Sequence, residues 1–227
     1  MSHLLNDKII WVAIPRCASF AVENAFKKSD LKMTPCQKVL GFKGHEKEHL
    51  HIEAKLLIDE FGDLETLCIK RDWLERWLSG LKHFLLSHAV FYKNEPFVSW
   101  EEVDNDFIYE TFDHEFCNKL YFGNFDDDVE LCRRLLKKFD PDDDATLIGM
   151  LKSQNFYKIN NKCTYEFDIK ELYKLEKFIM DKFAIDIKIN KVNESPKLTN
   201  KIVIDNELKE WIWDKFEKPF EKNNVLI

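Results

Sequence analysis

Glycine and proline are scarce in this chain, with only 6 of each among its 227 residues. The sequence contains no glycine- or serine-rich linker, no internal repeat and no low-complexity tract, so no sharp domain boundary can be placed. Hydrophobic residues make up 45% of the chain, which is long enough to bury a sizeable core. We therefore expect residues 1–227 to form a single domain.

The cysteines lack the paired spacing of a zinc ribbon or of a disulfide framework. No CxxC motif occurs, and the 6 cysteines are scattered at Cys17, Cys36, Cys68, Cys117, Cys132 and Cys163. Such a distribution is typical of reduced thiols, most of them buried.

Long apolar runs and an excess of positive charge are missing as well. No apolar run approaches the roughly 18 residues that are needed to span a bilayer, and the N-terminal MSHLLNDK lacks a signal-peptide pattern. The formal net charge of -7 argues against a general binder of nucleic acid or of anionic membranes, although it allows a local basic pocket. The kinase motif GxxxxGK followed by Ser or Thr is also absent, which argues against an ATP kinase. We expect a soluble, cytoplasmic protein.

One stretch, residues 9–28, has the pattern of a strand, a tight turn and a helix. Residues 9–14 form a continuous apolar run that suits a buried parallel strand, and Pro15 ends it. An amphipathic helix is predicted to begin near Ala18 or Ser19. The start of such a helix attracts anions, and Arg16 adds a permanent charge there. Ser19 could bind the anion or cap the helix, and the alternative for the whole stretch is an ordinary connection with Arg16 on the surface.

A second unit of the same kind follows at residues 65–88. Residues 65–70 read as a strand and residues 73–88 as an amphipathic helix, with Arg71 at the edge of the sheet where open α/β sheets bind ligands. Ser79 could face the same crevice. Glu75 and Arg76 are expected to form local ion pairs on the helix surface.

The alternation of strands and helices predicts an α/β fold with a central parallel sheet. A short strand is predicted at residues 38–42, a helix at 52–61 and a late strand at 163–167. Further helices, predicted at 107–122, 127–139, 169–183 and 206–220, make the C-terminal half largely helical. The acidic run at 140–144 is predicted to be a solvated turn.

IPRCASFAVENAF followed by LCIKRDWLERWLSGL resembles the paired motifs of the sulfotransferases that use 3′-phosphoadenosine 5′-phosphosulfate (PAPS). The first is similar to that family's P-loop-like 5′-phosphosulfate loop, and the second to its 3′-phosphate motif, an Arg at a strand end followed by a Ser, here Arg71 and Ser79. The segment from His49 to Ala54 and the Asn193-Glu-Ser195 triplet resemble parts of the carbohydrate sulfotransferase branch. The match departs at position 16, where many members have Lys, and at position 20, where Phe20 replaces a second hydroxyl residue.

The resemblance implies sulfuryl transfer from PAPS to an acceptor hydroxyl, with 3′-phosphoadenosine 5′-phosphate (PAP) as product and no metal. It favours a saccharide as acceptor. Arg16 would neutralise the leaving group, and a histidine would take the acceptor's proton: His51 first, His49 second, His45 third. The implied cofactor-binding residues are Pro15, Arg16, Cys17, Ala18, Ser19, Phe20, Arg71 and Ser79. Animal relatives of the secretory pathway carry a membrane anchor, so a trimmed form of an anchored protein is the alternative to a cytoplasmic one.

Two other functions compete with this interpretation. His45-Glu46-Lys47-Glu48-His49 matches HExxH, in which two histidines on one helix face bind zinc and Glu46 acts as the base of a metallohydrolase. The polar residues inside the motif and the lack of an obvious third ligand count against it. A non-catalytic nucleotide-binding or interaction module on the same fold is the third hypothesis.

Overall fold

The computed structural model describes residues 2–36, 54–81, 151–158, 162–190 and 204–221. The chain divides into two compact units: the first comprises residues 1–76, 153–194 and 219–227, and the second comprises 77–152 and 195–218. No helix among the described residues is long and apolar enough to cross a membrane.

The first unit contains a sheet of five strands in the order β3-β1-β2-β4-β5. The strands are β1 (His3–Leu5), β2 (Ile9–Val12), β3 (Met33–Pro35), β4 (Glu65–Lys70) and β5 (Tyr165–Asp168). Strands β2, β4 and β5 are parallel, with Ile9 opposite Glu65 and Lys70 opposite Asp168. Strands β1 and β3 run antiparallel on the β2 side. The predicted α/β class is confirmed, but the sheet is mixed rather than wholly parallel.

The antiparallel edge begins with a tight hairpin that the sequence analysis missed. Asn6 and Asp7 have φ values of 47° and 56°, and the Lys8 N–H donates to the Leu5 carbonyl at 3.0 Å. Two successive left-handed residues form the type I′ geometry that matches the twist of paired strands, and Asn and Asp tolerate it well. Strand β1 spans only 3 residues, too few for an alternating pattern to stand out.

Helices cover this sheet and then continue in the second unit. In chain order they are α1 (Ser19–Lys27), α2 (Ala54–Phe61), α3 (residues 73–81), a 3-10 helix (Gln154–Tyr157), α4 (Leu172–Phe183), α5 (Asn206–Ile212), a π-helical turn (Trp213–Glu217) and α6 (Lys218–Glu221). A second short 3-10 turn (Ile169–Glu171) precedes α4. The described parts of the predicted helices at 52–61, 73–88, 169–183 and 206–220 are thus confirmed in place. The elements predicted at 38–42, 107–122, 127–139 and 140–144 lie outside the described residues.

The core of the first unit is built on the two central strands. All 4 residues of β2 are buried, and Trp11 packs edge-on against Phe26 of α1 at 5.3 Å between ring centroids. Leu57 of α2 and Leu175 and Ile179 of α4 are fully buried in the same cluster. Burial of a large aliphatic or aromatic side chain contributes about 1.5–3 kcal/mol, so these contacts hold β2 firmly against the helices that cover it.

The second unit has a smaller described core. Trp77 packs against Phe216 at 5.6 Å between ring centroids, and both side chains are fully buried. Leu81, Leu208 and Ile212 are buried as well. Asp205 caps α5, since its carboxylate accepts the Leu208 N–H at 2.8 Å.

Candidate functional site

The loop of residues 13–18 connects the buried end of β2 to α1. Cys17 is buried, and its N–H donates to the Ile14 carbonyl at 3.3 Å, which closes a turn. Arg16 and Ala18, on either side of it, have positive φ values of 62° and 57°. Left-handed backbone costs a non-glycine residue about 1–2 kcal/mol. The two left-handed residues turn the chain sharply between the end of β2 and the start of α1.

Helix α1 begins directly after this loop without a side-chain cap. Ala18 occupies the N-cap position and makes no side-chain cap hydrogen bond. The alternative in which Ser19 caps the helix is therefore wrong, because Ser19 is already the first helical residue. Its half-buried hydroxyl lies beside the uncapped end, where backbone N–H groups and the helix dipole favour an anion.

The neighbouring parallel strand brings a second arginine to the same edge of the sheet. Val12 of β2 pairs with Cys68 of β4, and Arg71 follows the end of β4 directly. Burial lowers the pKa of the Arg16 guanidinium, and the nearby positive charge of Arg71 lowers it further. The Arg71 charge is therefore near enough to Arg16 to disfavour a positive charge there.

Four cationic side chains surround Cys17. Burial raises the pKa of its thiol to about 11, while the positive charges of Arg76, Arg71, Lys158 and Arg16 act in the opposite direction. The thiol is accordingly protonated at neutral pH, and it packs as a small apolar side chain near these four positive charges. This cluster of positive charge is local, since the chain as a whole is acidic.

Glu75 partly neutralises the second arginine. Arg71 Nε lies 3.5 Å from Glu75 Oε2, and Glu75 Oε1 also pairs with Lys170 Nζ at 3.1 Å. The Arg71 contact is an ion pair without hydrogen-bond geometry, and this buried Nε has no hydrogen-bond partner among the described residues. Glu75 thus behaves as predicted. Arg76 does not, because its side chain is fully buried rather than on the helix surface.

The segment 153–158 forms part of this site, although nothing in the sequence pointed to it. The Gln154 side chain binds the Arg71 backbone twice: its Oε1 accepts the Arg71 N–H at 3.3 Å, and its Nε2 donates to the Arg71 carbonyl at 2.8 Å. At the other end of the segment, Lys158 Nζ pairs with Glu166 Oε1 at 2.9 Å. The two Gln154 contacts join residues that are 83 positions apart, and no local pattern predicts them.

The remaining predicted site residues lie at different places in the chain, and only some of them are among the described residues. Pro15 is buried, and Phe20 is 54% exposed on the first turn of α1. Ser79 lies in the part of α3 that belongs to the second unit, whereas Arg71 belongs to the first. His45, Glu46, His49, His51, Asn193 and Ser195 lie outside the described residues. Among those that are described, no group of three or more His, Cys, Asp and Glu side chains could hold a metal ion.

Comparisons with known proteins add no family to this picture: no family model matches the chain, and neither a curated protein nor a solved structure was found to be similar to it. The site therefore has to be interpreted from its own geometry and charge.

Proposed function

We propose that this protein is a sulfotransferase that transfers the sulfuryl group from PAPS to a hydroxyl of a saccharide. The observation that carries the proposal is the proximity of Arg16 and Arg71 at the ends of two adjacent parallel strands. Arg71 adds a second positive charge near Arg16, and a polyanionic ligand would interact favourably with two positive charges at one edge of the sheet. The order of the two motifs in the sequence supports the same assignment.

The residues present suit a nucleotide with phosphate groups at both ends. The 13–18 loop, the uncapped start of α1 and Arg16 would hold the 5′ side, acting as a P-loop-like phosphate loop. Arg71 would hold the 3′-phosphate through donors that Glu75 leaves available. Ser79 is a candidate for the same phosphate only by resemblance. When bound, the donor supplies the activated sulfuryl group that the acceptor hydroxyl receives.

The chain's own residues have separable roles in this proposal. Arg16 and the backbone N–H groups at the start of α1 stabilise negative charge as it develops on the departing phosphate. A histidine takes the acceptor's proton, with His51 as first candidate, His49 as second and His45 as third, because the ordinary pKa of histidine lies near neutral pH. Ser19 donates a hydrogen bond to the bound anion at the start of α1.

Transfer from labelled donor tests this function. The protein is incubated with PAPS that carries ³⁵S and with a panel of neutral and acidic saccharides, and both labelled saccharide and PAP are quantified. We expect the two products to form in equal amounts, and to disappear in Arg16→Ala. Formation of neither product with any acceptor, in a protein shown to bind PAPS, would contradict the transferase function and favour a non-catalytic nucleotide-binding module.

A further inference from the structure

Directly after β4, the Arg71 backbone forms hydrogen bonds with a side chain rather than with another strand. The ladder between β4 and β5 reaches Lys70 opposite Asp168 and stops there. The next N–H and carbonyl, those of Arg71, would then lack ladder partners. A buried backbone group without a partner costs about 1–3 kcal/mol.

Gln154 supplies both missing partners. Its amide oxygen accepts from the Arg71 N–H at 3.3 Å and its amide nitrogen donates to the Arg71 carbonyl at 2.8 Å. A side-chain amide carries one donor group and one acceptor on adjacent atoms, as a peptide group does, whereas a carboxylate only accepts and an ammonium only donates. Glutamine is thus the residue type that extends the ladder by one step.

Gln154 is itself held in place by a closed turn. It is the first residue of the 3-10 helix, whose N-cap Ser153 is fully buried and accepts the Asn155 N–H at 3.1 Å through its Oγ. The Phe156 N–H donates to the Ser153 carbonyl at 3.1 Å, and Tyr157 packs edge-on against Phe156 at 5.1 Å between ring centroids. A side chain anchored in this way can hold a backbone partner in one position.

We propose that Gln154 is a positioning residue for Arg71 and thereby sets the preference of the site for nucleotides with a 3′-phosphate. The inference rests on the proposed function, in which Arg71 binds that phosphate. Gln154 fixes the backbone of Arg71, and Glu75 lies beside its Nε. Because the Arg71 side chain is already restrained at these two points, it loses little conformational freedom when an anion binds. Lys158, from the same segment, does not share this role, because Glu166 pairs with it at 2.9 Å.

The test compares PAP with 5′-AMP, which differ only in the 3′-phosphate, by calorimetric titration of two variants and the wild type. Gln154→Met keeps the length of the side chain and removes both hydrogen bonds. We expect it to weaken PAP binding roughly fivefold and to leave 5′-AMP binding unchanged. Asn155→Ala, one residue along the same turn, should leave the ratio of the two affinities as in the wild type.

If Gln154 only stabilised the fold, its loss would lower the affinities for PAP and for 5′-AMP together. The ratio of these two affinities therefore separates a structural role from a positioning role. An unchanged ratio in Gln154→Met, in a wild type that prefers PAP, overturns the inference and leaves the proposed function standing. A wild type that binds both nucleotides equally overturns the proposed function and this inference with it. If Gln154→Met does not fold, Gln154→Asn takes its place, because its amide is one methylene too short to reach both Arg71 atoms. This variant should also lower the ratio of PAP affinity to 5′-AMP affinity.

Discussion

The two connections from a parallel strand into a helix are built differently, although both end at the same edge of the sheet. Between Val12 and Ser19 the chain uses a loop with two left-handed residues and no side-chain cap. Between Lys70 and α3 it uses only Arg71 and Asp72. The Asp72 carboxylate accepts the Glu75 N–H at 3.0 Å, and so it caps α3.

This difference separates two ways of attracting an anion. The start of α3 already has a carboxylate of its own, so that connection can offer an external anion only the Arg71 side chain. The start of α1 has no such group, and its backbone N–H groups act together with Arg16. In the proposed function, the first connection therefore holds the sulfuryl end of the donor, and the second discriminates for the 3′-phosphate.

Arg16→Ala should produce the largest effect, because it removes the charge from the uncapped connection. We expect both PAP and 5′-AMP to bind about a hundredfold more weakly, since a hydrogen bond to a charged group contributes about 1.5–3 kcal/mol. Lys28→Ala, at the far end of α1 and exposed, makes the same change in net charge and should alter neither affinity by more than about twofold. Comparable losses in the two variants, measured by calorimetry, would mean that Arg16 has no special place in the site.

Arg71→Ala should weaken PAP binding roughly thirtyfold and leave 5′-AMP binding unchanged. The effect is smaller than at Arg16 because Glu75 already offsets part of the Arg71 charge. Lys70→Ala is the matched control: it removes an exposed charge one residue earlier. If 5′-AMP binding falls as far as PAP binding, the division of labour between the two connections is refuted.

Raising the pH should weaken the first connection through Cys17. Its thiol pKa is about 11 in the folded protein against an ordinary value of 9.0. The neutral thiol therefore contributes stability that is fully present below pH 9 and is lost as the pH rises through 11. We expect the stability advantage of wild type over Cys17→Ala in urea unfolding to shrink by an amount on the order of 2 kcal/mol across this interval. An advantage that is constant with pH would contradict the buried placement of this thiol.

The difference in capping between α1 and α3 should give a smaller effect on stability, and variants at the two helix starts test this difference directly. Asp72→Ala should cost about 1 kcal/mol of unfolding free energy through the lost cap, whereas Ser19→Ala should cost less than about 0.5 kcal/mol. Urea denaturation of the two variants measures both values. Equal losses would indicate that Ser19 caps α1 in solution and that its connection resembles the second one.

Ala18→Gly should produce the smallest effect, and it should be favourable. Glycine adopts the φ of 57° found at Ala18 without the side-chain penalty, so stability should rise by about 0.5 kcal/mol after the entropy lost on folding is subtracted. Ala25→Gly, inside α1, should instead lose about 1 kcal/mol. A loss at position 18 as large as that at position 25 would argue against the left-handed backbone.

The parts of the fold that could be predicted from the sequence are those with a strong local pattern. The apolar run of β2, the apolar periodicity of α4 and the strand-turn-helix order at residues 65–81 are confirmed within a few residues. Arg16 and Arg71 were placed at one edge of the sheet by the rule that parallel strands end together. The hairpin at Asn6 and Asp7 was missed, because β1 is too short to show an alternating pattern.

The rest depends on contacts that local patterns do not encode. Gln154 and Lys158 reach the site only because the chain returns to it after β4, and their partners Arg71 and Glu166 belong to other segments. Arg76 was expected on the surface, since a single arginine in a charged stretch gives no sign that packing will bury it. The absence of a cap at Ser19 likewise follows from the backbone of Ala18, not from the residue types.

The most direct test of the account is a calorimetric titration of the wild-type protein with PAP and, separately, with 5′-AMP. We expect both nucleotides to bind at a single site and PAP to bind at least roughly tenfold more tightly, because only PAP engages Arg71. Equal affinities, or no binding of either nucleotide, would contradict the central claim that the two connections divide a doubly phosphorylated nucleotide between them.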